Sequence, residues 1–208
     1  MVSGDMITQE EAVNEKTVEF FRKMASQYTV FFSNGNHETR YRTYPEKYGE
    51  LYEPFLEGLL EAGVHCLNND VMRWEKKGRV FQVAGYEGDM SYFRRFSRKK
   101  PTVEELTGLL GKADKKAQTI LLAHNPMHFQ TYKAWGADLT FSGHLHGGYI
   151  RLPLIGGVIS PQVQLFPKYD RGLFEEEGRY LCVSAGLGDH SITPRFLNPS
   201  ELPVVTLY

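Results

Sequence analysis

Three apolar runs in this chain break off into dense polar clusters. A strand predicted over Tyr28–Ser33 passes into Asn34-Gly35-Asn36-His37-Glu38. Gln118–Ala123 ends in His124-Asn125-Pro126, and Ala137–Phe141 in Ser142-Gly143-His144-Leu145-His146-Gly147-Gly148. Short runs rich in β-branched and aromatic residues read as buried strands, so each cluster sits where a sheet hands its chain to a loop. In sheets flanked by helices that is the usual place for ligands.

Helical patterns surround these strands. From Glu11 to Ser26 the apolar residues Val13, Val18, Phe21, Met24 and Ala25 recur at helical spacing. Pro45 opens a second helix in which Tyr48, Leu51, Tyr52, Phe55, Leu59 and Leu60 share a face, and Gly63 closes it. Short strands are predicted at Val64–Leu67, Val71–Trp74 and Arg79–Ala84. A capped helix runs from Thr102 to Gly111, and later strands fall at Tyr180–Ser184 and Val204–Leu207. Helices alternating with strands early, with strands dominating late, predict a mixed α/β fold with a layered sheet core. No repeat, low-complexity tract or linker divides the 208 residues, so one domain over 1–208 is expected.

Charge excludes little beyond a global polyanion binder. With 24 Lys and Arg against 25 Asp and Glu, the net charge is -1, and no overall field selects nucleic acid or an anionic surface. An anionic ligand would have to be held locally. The basic run Arg94–Lys100 reads as a solvated face, the usual fate of such runs. Cys66 and Cys182 have no metal-type spacing and define no disulfide framework, so both are expected to be reduced. No stretch approaches the ~18 apolar residues of a membrane span, and no secretory leader pattern opens the chain. A soluble, cytoplasmic protein is the expectation.

The clusters share a donor chemistry. Asn36, His124, His144 and His146 offer amide oxygen and imidazole nitrogen, a set suited to Zn, Mn or Fe rather than to a thiolate-preferring metal. A carboxylate, Asp5, follows Gly4 at the end of a short apolar stretch. His65, His128 and His190 lie apart from the clusters and read as ordinary histidines, while Arg195 is a candidate to face a phosphate.

Gly4-Asp5, Gly35-Asn36-His37-Glu38, His124 and Gly143-His144-Leu145-His146 occur in the order of the motifs of the calcineurin-like metallophosphoesterases, which the chain therefore resembles. The tail Ser184–Phe196, SAGLGDHSITPRF, is similar to the small bacterial phosphodiesterase-like branch. The resemblance implies a four-layer α/β/β/α sandwich with two divalent metal ions, Mn, Fe or Zn. Asp5 would bridge both, Asn36, His124 and His144 would complete one site, and His146 would serve the other. His37 would protonate the leaving oxygen, and Glu38 would orient its ring. Two cations about 3.5–4 Å apart generate a nucleophile near neutral pH and neutralise the phosphoryl oxygens.

One family element has no counterpart. The family pattern places a strand ending in Asp-x-His before the Gly-Asp motif, but only four residues precede Asp5 and none makes that motif. The resemblance thus implies an N-terminally truncated domain lacking its first strand or strands, with one well-served metal and one weak one. The function implied is hydrolysis of a phosphate ester by a metal-dependent phosphodiesterase, impaired by the truncation. The branch includes membrane-associated relatives and lipid-linked substrates, and nothing marks a nucleic-acid site. The alternative from another class is a non-catalytic metal-binding or interaction scaffold of the same fold.

Overall fold

The computed structural model describes residues 1–148, 151–152, 156–160, 165–188 and 197–207. Helix α1 (Glu11–Ala25) leads to strand β1 (Phe31–Phe32), followed by α2 (Asn36–Thr43), α3 (Pro45–Tyr48) and α4 (Tyr52–Glu61). Strands β2 (His65–Cys66), β3 (Asp70–Lys76) and β4 (Arg79–Tyr86) precede a 3-10 turn at Met90–Phe93. Then come α5 (Val103–Leu110), β5 (Gln118–Ala123), α6 (Phe129–Trp135) and β6 (Leu139–Ser142). The short pair β7 (Arg151–Leu152) and β8 (Gly156–Gly157) and the hairpin β9 (Gly172–Glu176) and β10 (Arg179–Val183) complete the described elements.

Phe31 and Phe32 show how the layers stack. Successive strand residues face opposite ways, and these two enter different cores. Phe32 packs with Val30, Val64, Phe21 of α1 and Tyr52, Phe55 and Leu59 of α4. Phe31 and Leu67 meet Phe81 and Val83 of β4 and Ile120 and Leu122 of β5. The far face of β4 and β5, with Ala84, Tyr86, Leu121 and Ala123, is covered by Leu106 and Leu110 of α5 and by Tyr132 and Trp135 of α6. The order is therefore helices, small sheet, large sheet, helices. Each fully buried aromatic or aliphatic side chain contributes roughly 1.5–3 kcal/mol of transfer free energy to holding these layers together.

The large sheet has six strands in the order β3-β4-β5-β6-β10-β9. Its four inner strands are parallel neighbours and the two edges run antiparallel. The small sheet pairs β1 with β2 in parallel, and Val2 adds a parallel bridge to Phe32. Within the small sheet the loops after Val2 and β1 leave in the same sense, as do those after β5 and β6 within the large sheet, and these loops carry Asp5, Asn36, His124 and His144.

Several boundaries differ from the sequence expectation. The first strand starts only at Phe31, because Tyr28 still donates its N–H to the Met24 carbonyl at the end of α1. The helix expected from Pro45 is broken at Gly49, whose φ of 80° interrupts it, and Leu60 points to solvent. Val204–Leu207 is not a strand: among the described residues no strand pairs with it, and Val204 is 88% exposed. Helices α2 and α6 and strand β9 were not expected. His190 and Arg195 lie outside the described residues.

Candidate metal centre

Gly35 and Glu38 build the floor of the site. Gly35 is the N-cap of α2, and Glu38, in its first turn, reaches back so that its carboxylate accepts the Gly35 N–H at 2.9 Å. The same carboxylate accepts the N–H groups of Asp5 (2.7 Å), Met6 (2.5 Å) and Ile7 (3.0 Å). Glu38 is 0% exposed, and these four bonds occupy both its oxygens. It makes no hydrogen bond to the His37 ring, so the expected orienting role is corrected: Glu38 stitches the Asp5 turn to α2.

The two loops also touch directly. A Cβ on Gly4 would lie 1.9 Å from the Gly35 nitrogen, and one on Gly35 would lie 2.4 Å from Asp5 Oδ1. Only residues without Cβ permit this approach. Asp5 itself sits in the left-handed region at φ 60°, and its Oδ1 accepts the His37 backbone N–H at 2.9 Å. Strain of this kind persists where the surroundings over-determine it.

Against that turn stand the two imidazoles that follow β5 and β6. Asp5, His124 and His144 place one ligand atom each within 4.8 Å of one another. His124 Nδ1 donates to the Ser3 carbonyl at 2.6 Å, which leaves the lone pair on Nε2. That Nε2 lies 2.9 Å from Asp5 Oδ2 yet makes no hydrogen bond, so the two atoms stand side by side. His144 Nε2 and Asn36 Oδ1 are likewise buried without a hydrogen-bond partner. An unsatisfied buried polar atom costs about 1–3 kcal/mol, and a cation held among Asp5, His124 and His144 would satisfy the two imidazoles. The donor set of one carboxylate and two imidazoles fits a divalent transition metal.

Without a cation, the charges in the site are set by burial and by one another. Burial works to raise the Asp5 carboxyl, but the neighbouring His124 and His37 outweigh it and hold Asp5 well below the usual range. For His124, burial pulls downward and the Asp5 carboxylate prevails, so its imidazole is pushed up. Burial, then the charge at His124, holds His144 well below the ordinary histidine range and therefore neutral at pH 7.

His37 and His146 occupy different positions. The His37 side chain is 38% exposed at the rim, with Nε2 4.0 Å from Asp5 Oδ2, beyond hydrogen-bond reach. His146, half-buried, stands outside the group formed by Asp5, His124 and His144. Both His144 and His146 have positive φ, 64° and 50°, with the fully buried Leu145 anchoring the loop between them.

Three supporting residues escaped the sequence reading. Phe93 stacks edge-on against His144, with ring centroids 5.2 Å apart, and lies 6.1 Å from His124. Asn198, buried, donates its amide to the carbonyls of His146 and Gly148 and clamps their loop. Glu87, buried at the end of β4, accepts from Thr39 (2.7 Å) and Asn34 (3.3 Å) and pairs with Arg42 (3.0 Å), fixing α2 to the large sheet. The signal available for α2 was the glycine followed three residues later by glutamate, a capping pattern hidden inside the motif. For Phe93 and Asn198 no sequence signal exists, because their role comes from tertiary placement.

The sequence profile of calcineurin-like phosphoesterases matches residues 1–148. The chain belongs to this family. Among curated relatives, an uncharacterized metallophosphoesterase of Helicobacter pylori J99 is 28% identical over 100% of this chain and 50% of its own length. The UDP-2,3-diacylglucosamine pyrophosphatase LpxG of Chlamydia muridarum is 30% identical over 54% of this chain and 41% of its own. Phosphodiesterase YaeI of Escherichia coli is 28% identical over 64% of this chain and 43% of its own. The calcineurin-like phosphoesterase chain thus spans about half the length of the curated relatives it matches. Divalent metals are the family's cofactors, and Asp5, His124 and His144 form a group able to hold one.

Proposed function

We propose that this protein hydrolyses a phosphodiester or diphosphate linkage with divalent metal held by Asp5, Asn36, His124 and His144. The observation that carries this reading is the trio of buried, unpartnered ligand atoms on Asn36, His124 and His144, beside the Asp5 carboxylate. A scaffold with no ligand to bind would have no use for three such atoms. Two relatives named as a phosphodiesterase and a pyrophosphatase favour a diester or diphosphate over a monoester. The latter name also makes a lipid-linked substrate the first to try.

When bound, divalent cations supply Lewis acidity toward the phosphoryl oxygens and lower the pKa of water near them. The protein's own residues do the rest. Asp5 is aimed by Glu38, by its bond from the His37 N–H and by the Gly4 and Gly35 approach. The Ser3 carbonyl fixes the His124 tautomer, and Phe93 packs edge-on against the His144 ring. His37, anchored through its backbone but free at its ring, donates a proton to the departing oxygen. Asp5 and His146 would be the side chains offered to a second cation.

The test is hydrolysis of bis-p-nitrophenyl phosphate against p-nitrophenyl phosphate with Mn, alongside Asn36→Ala and His144→Ala. Diester turnover that both substitutions abolish supports the reading. Full metal binding without turnover on either ester, or on a lipid-linked diphosphate, would overturn it.

A further inference from the structure

The 3-10 turn that sets Phe93 against His144 continues into Arg94-Arg95-Phe96-Ser97-Arg98-Lys99-Lys100, a segment the metal centre does not use. We propose that residues 94–100 dock the protein on the surface of an anionic membrane, with Phe96 entering the interface and the surrounding cations meeting lipid phosphates.

Phe96 is 77% exposed and has a φ of 59°, a backbone state that bulky side chains avoid. A turn closed by the Ser97 N–H on the Arg94 carbonyl and the Lys99 N–H on Ser97 Oγ presents it outward. Arg94, Arg95, Arg98, Lys99 and Lys100 are all exposed, and none makes an ion pair within 4.0 Å among the described residues. The acids nearest in sequence do not cancel them. Asp89 accepts the Ser91 N–H and feels Lys99 and Arg94 only at longer range, while Glu105 is taken up by the hydroxyls of Tyr86 (2.6 Å) and Tyr92 (2.5 Å).

Two features select a membrane over a soluble anion. A site for a small anion gathers its cations around a recess, whereas these five flank a projecting aromatic ring. That ring gains nothing from a soluble phosphate but gains apolar burial on entering the acyl boundary. The overall charge of -1 makes the cluster a local device, one that fixes orientation. Docking in this pose brings the surface of the bilayer to the turn that carries Phe93, and through it to the side of His144. Vesicle binding is read without turnover, so the inference and the hydrolase reading can fail separately.

Co-sedimentation of the 208-residue chain with phosphatidylcholine vesicles, with or without phosphatidylglycerol, tests this. Binding should require the anionic lipid and weaken with salt. Arg94→Gln/Arg95→Gln/Arg98→Gln should weaken it roughly 100-fold, since each cation near an anionic surface contributes about a factor of five. Phe96→Ser should weaken it about 10-fold. Unchanged melting temperatures in both variants would show that the fold is intact. In Phe96→Trp the emission should shift to the blue on anionic vesicles and be quenched by brominated lipid. Equal binding to neutral and anionic vesicles, or a triple variant that binds like the parent, would overturn the proposal. So would a Phe96→Trp emission that stays in water-exposed position on bound vesicles. If the triple variant instead raised KM for a soluble diester while no vesicle binding occurred, the segment would be a substrate subsite.

Discussion

Glu38→Gln separates the two roles this carboxylate could have. In the structure both of its oxygens accept, from Asp5 and Gly35 on one side and from Met6 and Ile7 on the other. Glutamine keeps one acceptor oxygen and turns an NH2 group toward the other pair of N–H donors. Two bonds to a charged acceptor are lost, each worth about 1.5–3 kcal/mol, so destabilisation of about 3–6 kcal/mol is expected. For a chain of this size that is a fall in Tm of roughly 6–24 °C, at about 2–4 °C per kcal/mol. The Asp5 turn should loosen with it, and Mn affinity measured by calorimetry should drop. Thermal melts followed by circular dichroism read the first effect. A variant that melts within 2 °C of the parent (roughly 1 kcal/mol), binds Mn equally and loses only turnover would refute the stitching argument. Glu38 would then serve the His37 ring, as the family resemblance implied.

His37→Ala should lower kcat on a chromogenic diester by ~10²–10⁴ while Mn affinity and Tm hold, because its ring is exposed and unbonded. Loss of metal binding would make it a ligand instead. Mn at 100 times its Kd should stabilise the parent by about 2.7 kcal/mol and leave His144→Ala unmoved, read as a shift in urea midpoint. A calorimetric titration should resolve one tight site and a weaker one, and two equal tight sites would contradict the ligand count. Burial, with Lys100 adding to it, lowers His128 to about 4. Its folded pKa lies below the ordinary ~6.5, so the unfolded chain takes the proton first. That stability is present above about pH 6.5 and lost as pH falls toward 4, by about 2 kcal/mol between pH 7 and 5. His128→Gln should flatten that limb in urea titrations.

The legible parts of this molecule were those whose sequence pattern repeats a local rule. Gln118–Ala123 is a strand with the bounds its apolar run predicts, and Thr102 caps α5 through the Glu105 N–H at 3.1 Å as its capping pattern requires. Asp5, His124 and His144, which the structure brings together, were singled out because imidazole and carboxylate at strand ends limit the chemistry. What could not be read lies between segments. Strand β9 is acid-rich and exposed at the sheet edge, so no period marked it. Helix α6 buries Phe129, Tyr132 and Trp135 three residues apart, a helical spacing, but its seven residues are too few for the pattern to stand out along the chain. Phe93 and Asn198 reach the centre from distant loops, and no spacing along the chain announces such contacts.

The order Gly35-Asn36-His37-Glu38 now has a physical account in which each position does a separate job. Gly35 gives clearance, because any Cβ there would strike Asp5. Asn36, one step further, is the first residue of α2, and its buried Oδ1 has no partner. His37 turns outward on the next step, so its backbone holds Asp5 while its ring faces solvent. Glu38, in the first turn of α2, points back under the loop and ties it to the Gly4-Asp5 turn. From the glycine spacer onward, the helical rotation of about 100° per residue sends the side chains of Asn36, His37 and Glu38 in three different directions. Moving Asn36 or Glu38 by one position would keep every residue type and destroy the arrangement. The exchange Asn36→His with His37→Asn therefore should cost metal affinity and turnover together, although it leaves the composition of the cluster unchanged.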